Sequence, residues 1–113
     1  MAKIIPDLWK NKVRAILAVA PNDSIIVTKR AAEEFQAMFP LSFSYNLYQA
    51  FDQALGTPGL TGNQVYGMTP EGTTYEFIFP YEKRDVYGKV CLTTDNEVIV
   101  IFSAHRPLKG TAL

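Results

Sequence analysis

Apolar residues recur at helical spacing throughout the first half of the chain. Three segments carry such a stripe: residues 7–20, 29–39 and 45–55. Apolar residues three or four positions apart lie on the same side of an α-helix, so each segment can bury one face. Thr28 and Ser44 precede the second and third segments, and both are residue types that cap helix N-termini. The pattern therefore predicts three helices, with a brief strand or extended stretch at residues 24–28 before the second.

The hydrophobic period changes to two after the Gly- and Thr-rich loop at residues 56–63. Alternating apolar and polar residues are typical of half-buried β-strands. Four runs show this alternation: residues 64–69, 73–81, 86–94 and 97–104. Their short connections predict an antiparallel meander. A mainly helical part (1–55) before a sheet (64–107) predicts an α+β fold, with the N-terminal helices packed on one face of a four-stranded antiparallel meander.

The register of the last hairpin decides which face of the sheet carries the candidate chemistry. If Asp95-Asn96 is a two-residue loop, the ladder pairs Val86 with His105. Residues paired across an antiparallel ladder point to the same face, and neighbours along a strand point to opposite faces. His105 and Lys89 therefore fall on opposite faces unless a bulge or the strand end turns His105 outward.

Composition narrows the classes of function. The chain has 113 residues, enough for a single domain over 1–113, with 48% hydrophobic residues and eleven basic residues balancing eleven acidic ones. A balanced charge gives no general attraction to nucleic acid or membrane, so a nucleic acid would need a local basic patch. Cys91 is the only cysteine and cannot form an internal disulfide. We expect a cytoplasmic protein without membrane association, bound metal or cofactor.

The only histidine lies at the end of the last β-run, followed by Arg106 and Pro107. An unperturbed imidazole titrates near neutral pH, so His105 beside a guanidinium is where acid–base chemistry could take place. The structural alternative is a strand-end histidine that is hydrogen-bonded to a nearby carbonyl. Proline cannot donate to a β-ladder, so the strand should end here.

Three stretches of the C-terminal third, at residues 75–81, 86–92 and 98–107, carry a family resemblance. Together with the order of elements, they resemble the small ribonuclease toxins grouped as barnase–EndoU–colicin–RelE-like, in which N-terminal helices precede a four-stranded antiparallel sheet. The resemblance covers residues 30–107 in layout and only the C-terminal third in residue pattern. This chain differs from such toxins in its balanced charge and in having no second histidine.

The resemblance implies metal-independent RNA cleavage by attack of the ribose 2′-OH on the adjacent phosphorus. His105 would be the acid or base, and Arg106 and Arg84 would bind the phosphate. Charge or base stacking would come from four further residues: Lys89, Tyr87, Tyr81 and Lys109. The implied partners are an RNA substrate and a cognate protein inhibitor.

A non-enzymatic interaction module is the alternative function. An immunity or antitoxin-like protein, or a phage-encoded adaptor, would fit the neutral charge and the incomplete catalytic set. An exposed edge strand at 64–69, or an apolar patch around Val100 and Phe102, could support a homodimer. The acidic pair Glu33-Glu34 is assigned to a solvated helix face.

Overall fold

The computed structural model describes residues 2–19 and 23–108. Within these ranges three α-helices, as predicted, occupy the first half: α1 (Asp7–Leu17), α2 (Lys29–Met38) and α3 (Ser44–Leu55). The strands are β1 (Lys3–Ile4), β2 (Ile25–Val27), β3 (Thr61–Val65), β4 (Gly72–Tyr81), β5 (Arg84–Thr93) and β6 (Ile99–His105). None of the helices in the described ranges has the length and apolar character needed to cross a membrane.

Among the described residues the sheet has six strands rather than the four predicted, in the order β1-β3-β4-β5-β6-β2. Strands β3 to β6 form the antiparallel meander, so the α+β class is confirmed. The prediction of a purely antiparallel four-stranded sheet is wrong, because β1 pairs with β3 and β2 pairs parallel to β6. β2 lies within the brief strand or extended stretch predicted at residues 24–28, although its place in the sheet was not predicted, and the two residues of β1 are too few to produce a recognisable alternation in the sequence.

The helices pack on one face of the sheet through a row of aromatic residues. Tyr75, Phe77, Phe79 and Tyr81 alternate along β4 and share this face. Each helix supplies one ring to the row: Trp9 to Tyr75, Phe51 to Phe77 and Phe79, and Phe35 to Tyr81. One hydrophobic cluster therefore joins all three helices to the sheet.

Thr28 fixes the start of α2 against β6. Its side-chain oxygen accepts a hydrogen bond from the Ala31 N–H at 3.1 Å and donates one to the Phe102 carbonyl at 3.3 Å. The predicted N-cap is confirmed here. At α3 the prediction is wrong by one residue, because the N-cap is Phe43, whose N–H donates to the Asn46 side chain at 2.8 Å.

A β-bulge in β6 overturns the register predicted for its C-terminal half. Val90 still faces Ile101, as a two-residue loop predicts, but the register shifts between Lys89 and Val90. Phe102 is the extra residue, so His105 faces Tyr87 instead of Val86. The bulge turns His105 to the face opposite the helices, which it shares with Lys89.

Candidate functional site

The start of β5 and the end of β6 meet α2 at a cleft of about 880 Å³. Because the two strands are antiparallel, Arg84 at the start of one and His105 at the end of the other lie at the same edge of the sheet. Arg106 follows directly. The three residues predicted to be catalytic thus line one cleft, with lining residues Arg30, Glu34, Ala37, Met38, Arg84, Asp85, His105, Arg106, Pro107 and Leu108.

The imidazole of His105 contacts the backbone of the residue that follows it at the end of β6. Its Nδ1 lies 2.7 Å from the carbonyl oxygen of Arg106. A carbonyl oxygen only accepts hydrogen bonds, so Nδ1 carries the proton in this contact, and Nε2 of the neutral ring is left with its lone pair. The bond is the one that a purely structural strand-end histidine makes. It also leaves the other ring nitrogen able to accept a proton.

Tyr87 supports His105 from the neighbouring strand. The two rings are stacked, with centroids 4.9 Å apart and an interplanar angle of 29°. The Tyr87 hydroxyl donates a 2.5 Å hydrogen bond to Oε1 of Glu76. Burial raises the pKa of the Tyr87 phenol well above its usual range, and the hydrogen bond to Glu76 and its negative charge raise the pKa further. The phenol therefore stays protonated and engaged with Glu76, and the aromatic ring is what it offers to the site.

Three arginines bring positive charge to the cleft, and they differ in how firmly they are held. Arg84 donates from Nη1 to the Met38 carbonyl at 3.0 Å, and Arg30 donates from Nε to Glu34 at 3.2 Å. The exposed Arg106 guanidinium makes no hydrogen bond or ion pair within residues 2–19 and 23–108. With Glu34 and Asp85 as the acidic lining residues, three guanidinium groups face two carboxylates. The cleft therefore has a small positive charge even though the whole chain is neutral.

Arg30 and Glu34 are members of the cleft that the sequence does not reveal. The prediction that Glu33-Glu34 forms a solvated face is correct only for Glu33, which is exposed and lies 3.8 Å from Lys29. Glu34 is half-buried, and its Oε1 is buried without a partner among the described residues. The four-residue spacing from Arg30 predicts their ion pair. Nothing in that spacing indicates which side of α2 meets the end of β6.

The remaining predicted site residues lie elsewhere. Lys89 is on the outer sheet face, paired with Ser103, and does not line the cleft. The ring of Tyr81 packs between α2 and the sheet, 5.3 Å from Phe39 between centroids, so it takes part in the core instead of the cleft. Lys109 lies outside the described residues.

In comparisons with known proteins, no family model, curated protein or solved structure matches the chain. Only the residues of the site itself therefore bear on function. One imidazole and three arginines line the same cleft, and these are side-chain types that move protons and bind phosphate.

Proposed function

We propose that the cleft binds an RNA phosphodiester and that the protein is a toxin-like endoribonuclease that works without a metal ion. The observation that carries the proposal is the position of His105, Arg84 and Arg106 around a single cleft. Arg84 lies about twenty positions before the adjacent residues His105 and Arg106 in the sequence, and it shares a cleft with them only because β5 and β6 are antiparallel. At about 880 Å³, the cleft is within the size range of small-molecule sites and can accommodate nucleotide units.

In the proposed reaction, Nε2 of His105 accepts the proton of a ribose 2′-OH. The 2′-oxygen forms a bond to the adjacent phosphorus, and the bond from phosphorus to the 5′-oxygen breaks. The departing 5′-oxygen takes up a proton, for which the imidazolium formed in the first step is the source within the site. The products are a 2′,3′-cyclic phosphate and a 5′-hydroxyl, and no electron transfer is needed.

The two predicted arginines would stabilise the negative charge that builds up on the phosphoryl oxygens. The hydrogen bond from Arg84 to the Met38 carbonyl orients its guanidinium before substrate binds. A donor that is already in place costs little reorganisation when the transition-state charge develops. Arg106, which lines the same cleft, would be free to rotate onto the phosphate. Arg84 would therefore hold the phosphate in a fixed position, and Arg106 would adjust its side chain to bind it.

The proposal is tested by incubating purified protein with RNA in EDTA and comparing matched variants. His105→Gln should lower the cleavage rate by about 100-fold or more, which is the usual contribution of a general base. Arg84→Gln and Arg106→Gln should each lower it by about tenfold or more, since each removes a charged donor from the transition state. Lys83→Gln is the control, because Lys83 is exposed in the adjacent turn and does not line the cleft. Thermal melting establishes that every variant is folded.

Two results would contradict the proposal. One is intact RNA after prolonged incubation with the wild-type protein. The other is an equal loss of cleavage in Lys83→Gln and Arg84→Gln, because the arginines would then contribute only bulk charge.

The second candidate function is a non-enzymatic interaction module. The observation that favours it is that two of the three cleft arginines are already hydrogen-bonded within the protein. Arg84 and Arg30 already have partners in the protein, so Arg106 is the cleft arginine with the most freedom to bind a ligand. A module of this kind would be harmless on expression and would co-purify with its partner protein. A nuclease would arrest growth in a His105-dependent way unless its cognate inhibitor were present. Growth after induced expression, compared between wild type and His105→Gln, separates the two functions.

A further inference from the structure

In the part of the chain that the structure describes, the sheet ends at β2 on one side, and this edge strand is unusually apolar. The stretch Ser24-Ile25-Ile26-Val27-Thr28 carries no charge and no proline. Natural edge strands are normally protected by charged residues, proline or a bulge, because their unpaired backbone groups attract other strands. In the described structure, the short length of β2 is the only feature that protects this edge from pairing with another strand. We propose that two copies of this chain associate by antiparallel pairing of their β2 strands.

The hydrogen bonds to β6 determine which backbone groups of β2 are turned to the open edge. The Ser24 carbonyl accepts from the Ile99 N–H at 2.9 Å, and the Thr28 N–H donates to the Ile101 carbonyl at 3.1 Å. The backbone N–H and C=O groups of successive residues point to opposite sides of a strand. Those of the even-numbered residues in this segment therefore point towards β6. The N–H and C=O groups of Ile25 and Val27 consequently face away from the sheet.

This alternation fixes the register of the pairing. When two β2 strands run antiparallel about a two-fold axis at Ile26, Ile25 of one copy faces Val27 of the other. Each of these two pairs exchanges two N–H···O bonds, which gives four bonds in total. The two Ile26 residues form the non-hydrogen-bonded pair between them, where side chains approach most closely. Ile26 is 49% exposed in the single chain, so this contact buries apolar surface.

A groove beside the strand extends the apolar surface. Val27 and Phe43 both line this groove, which has a volume of about 430 Å³ and no charged lining residue. The segment that leads into α3 carries Phe43 and, two positions to either side of it, two further strongly exposed apolar side chains outside the groove lining: Leu41 is 93% exposed, Phe43 79% and Tyr45 69%. A large aromatic side chain can bury roughly 150–250 Å² of surface. Together, the exposed parts of these three side chains and of Ile26 offer on the order of 500 Å² of apolar surface. A standard interface needs about 800 Å² per partner, and the paired strand adds to the total.

The absence of charge favours a second copy over a charged partner. In a two-fold interface each patch meets its own copy, so any net charge on it would repel itself. Neither residues 24–28 nor the lining of the groove carries a charged side chain. The same surface offers nothing to attract a basic or acidic protein selectively.

Light scattering after size exclusion tests the proposal without reference to RNA, so its failure is independent of the nuclease proposal. The wild type should have twice the 12.6 kDa chain mass. Ile26→Lys places like charges opposite each other and should weaken the dimer by about tenfold or more. Phe43→Asp should weaken it as well. Leu8→Lys is the control, because Leu8 is 68% exposed on α1.

Cross-linking tests the register directly. In a non-hydrogen-bonded antiparallel pair the Cα atoms lie about 4.5 Å apart, within the range for a disulfide. Ile26→Cys should therefore form a covalent dimer on mild oxidation, while Leu8→Cys should not, and the buried Cys91 should not interfere. A wild type that is monomeric up to about 1 mM would overturn the proposal and leave the groove to another partner. A dimer unaffected by Ile26→Lys would overturn it too.

Discussion

The imidazole of His105 is stacked on the phenol ring of Tyr87, with 4.9 Å between the ring centroids. This pair exists because the bulge at Phe102 shifts the end of β6 by one residue. The hydroxyl of the same tyrosine is bonded to Glu76, so the supporting ring is itself held. Stacking on one side and the Nδ1 contact with the Arg106 carbonyl together orient His105 at the edge of the cleft.

Tyr87 should act through its ring in the site and through its hydroxyl in stability. Tyr87→Phe removes the hydrogen bond to the Glu76 carboxylate and should lower the free energy of unfolding by about 1–2 kcal/mol, measured by urea denaturation. It should leave RNA cleavage unchanged, because the stacked ring is retained. Tyr87→Ala removes the ring as well and should lower cleavage. If Tyr87→Phe loses as much cleavage as Tyr87→Ala, the hydroxyl takes part in the reaction, contrary to this assignment.

Replacement of threonine by valine should have opposite effects on stability at positions 74 and 28. Thr74 is 1% exposed, and its hydroxyl oxygen has no hydrogen-bond partner within the described ranges. Thr74→Val removes that unpaired polar atom and should raise the free energy of unfolding by about 1 kcal/mol. Thr28→Val removes the N-cap of α2 and should lower it by about 1 kcal/mol. Urea denaturation of both variants is the test, and destabilisation by Thr74→Val would mean that its hydroxyl has a partner.

Asp95 should make the β5–β6 turn sensitive to acid. The Thr93 hydroxyl donates to its Oδ1 at 2.6 Å and the Glu97 N–H donates at 3.0 Å. These bonds lower the pKa of Asp95 in the folded state, the larger effect being that of Thr93. The resulting stabilisation is present above the unfolded-state pKa and disappears as the pH falls through the lower folded-state value.

Asp95→Ala should therefore melt at a lower temperature than wild type at neutral pH, and the difference should narrow below about pH 4. Glu97→Ala is the control, because the Glu97 carboxylate accepts no hydrogen bond in the described structure. Melting curves across this pH range test the prediction. A difference between wild type and Asp95→Ala that stays constant into acid would show that the carboxylate charge does not matter.

The parts of the fold that sequence predicts are those whose pattern is local. The apolar stripes of α2 and α3 and the alternation along β4 are each long enough to define an element and the face it buries. The two residues of β1 are too few for that, and the extended stretch predicted at residues 24–28 indicates β2 but not its partner strand. Their pairing depends on where the chain returns after the helices and the meander are packed, which is a tertiary effect.

The candidate site, like the fold, can be predicted from sequence only where its arrangement depends on a local pattern. That Arg84 and His105 lie at the same end of the β5–β6 hairpin follows from counting residues back from the turn, whatever the register at that end. The face on which His105 lies cannot be obtained by counting, because the extra residue, Phe102, looks like any other apolar strand residue. Arg30 and Glu34 enter the cleft only because α2 packs against β6, and no local pattern encodes that contact.

The most direct test of the proposed chemistry uses an RNA oligonucleotide and a matched copy with 2′-deoxyribose at the cleaved position. We predict that the protein in EDTA cleaves only the all-ribose strand and leaves a 2′,3′-cyclic phosphate, and that His105→Gln leaves both strands intact. Cleavage of the 2′-deoxy strand, or an uncut all-ribose strand, would contradict the assignment of His105 as the base for 2′-OH attack.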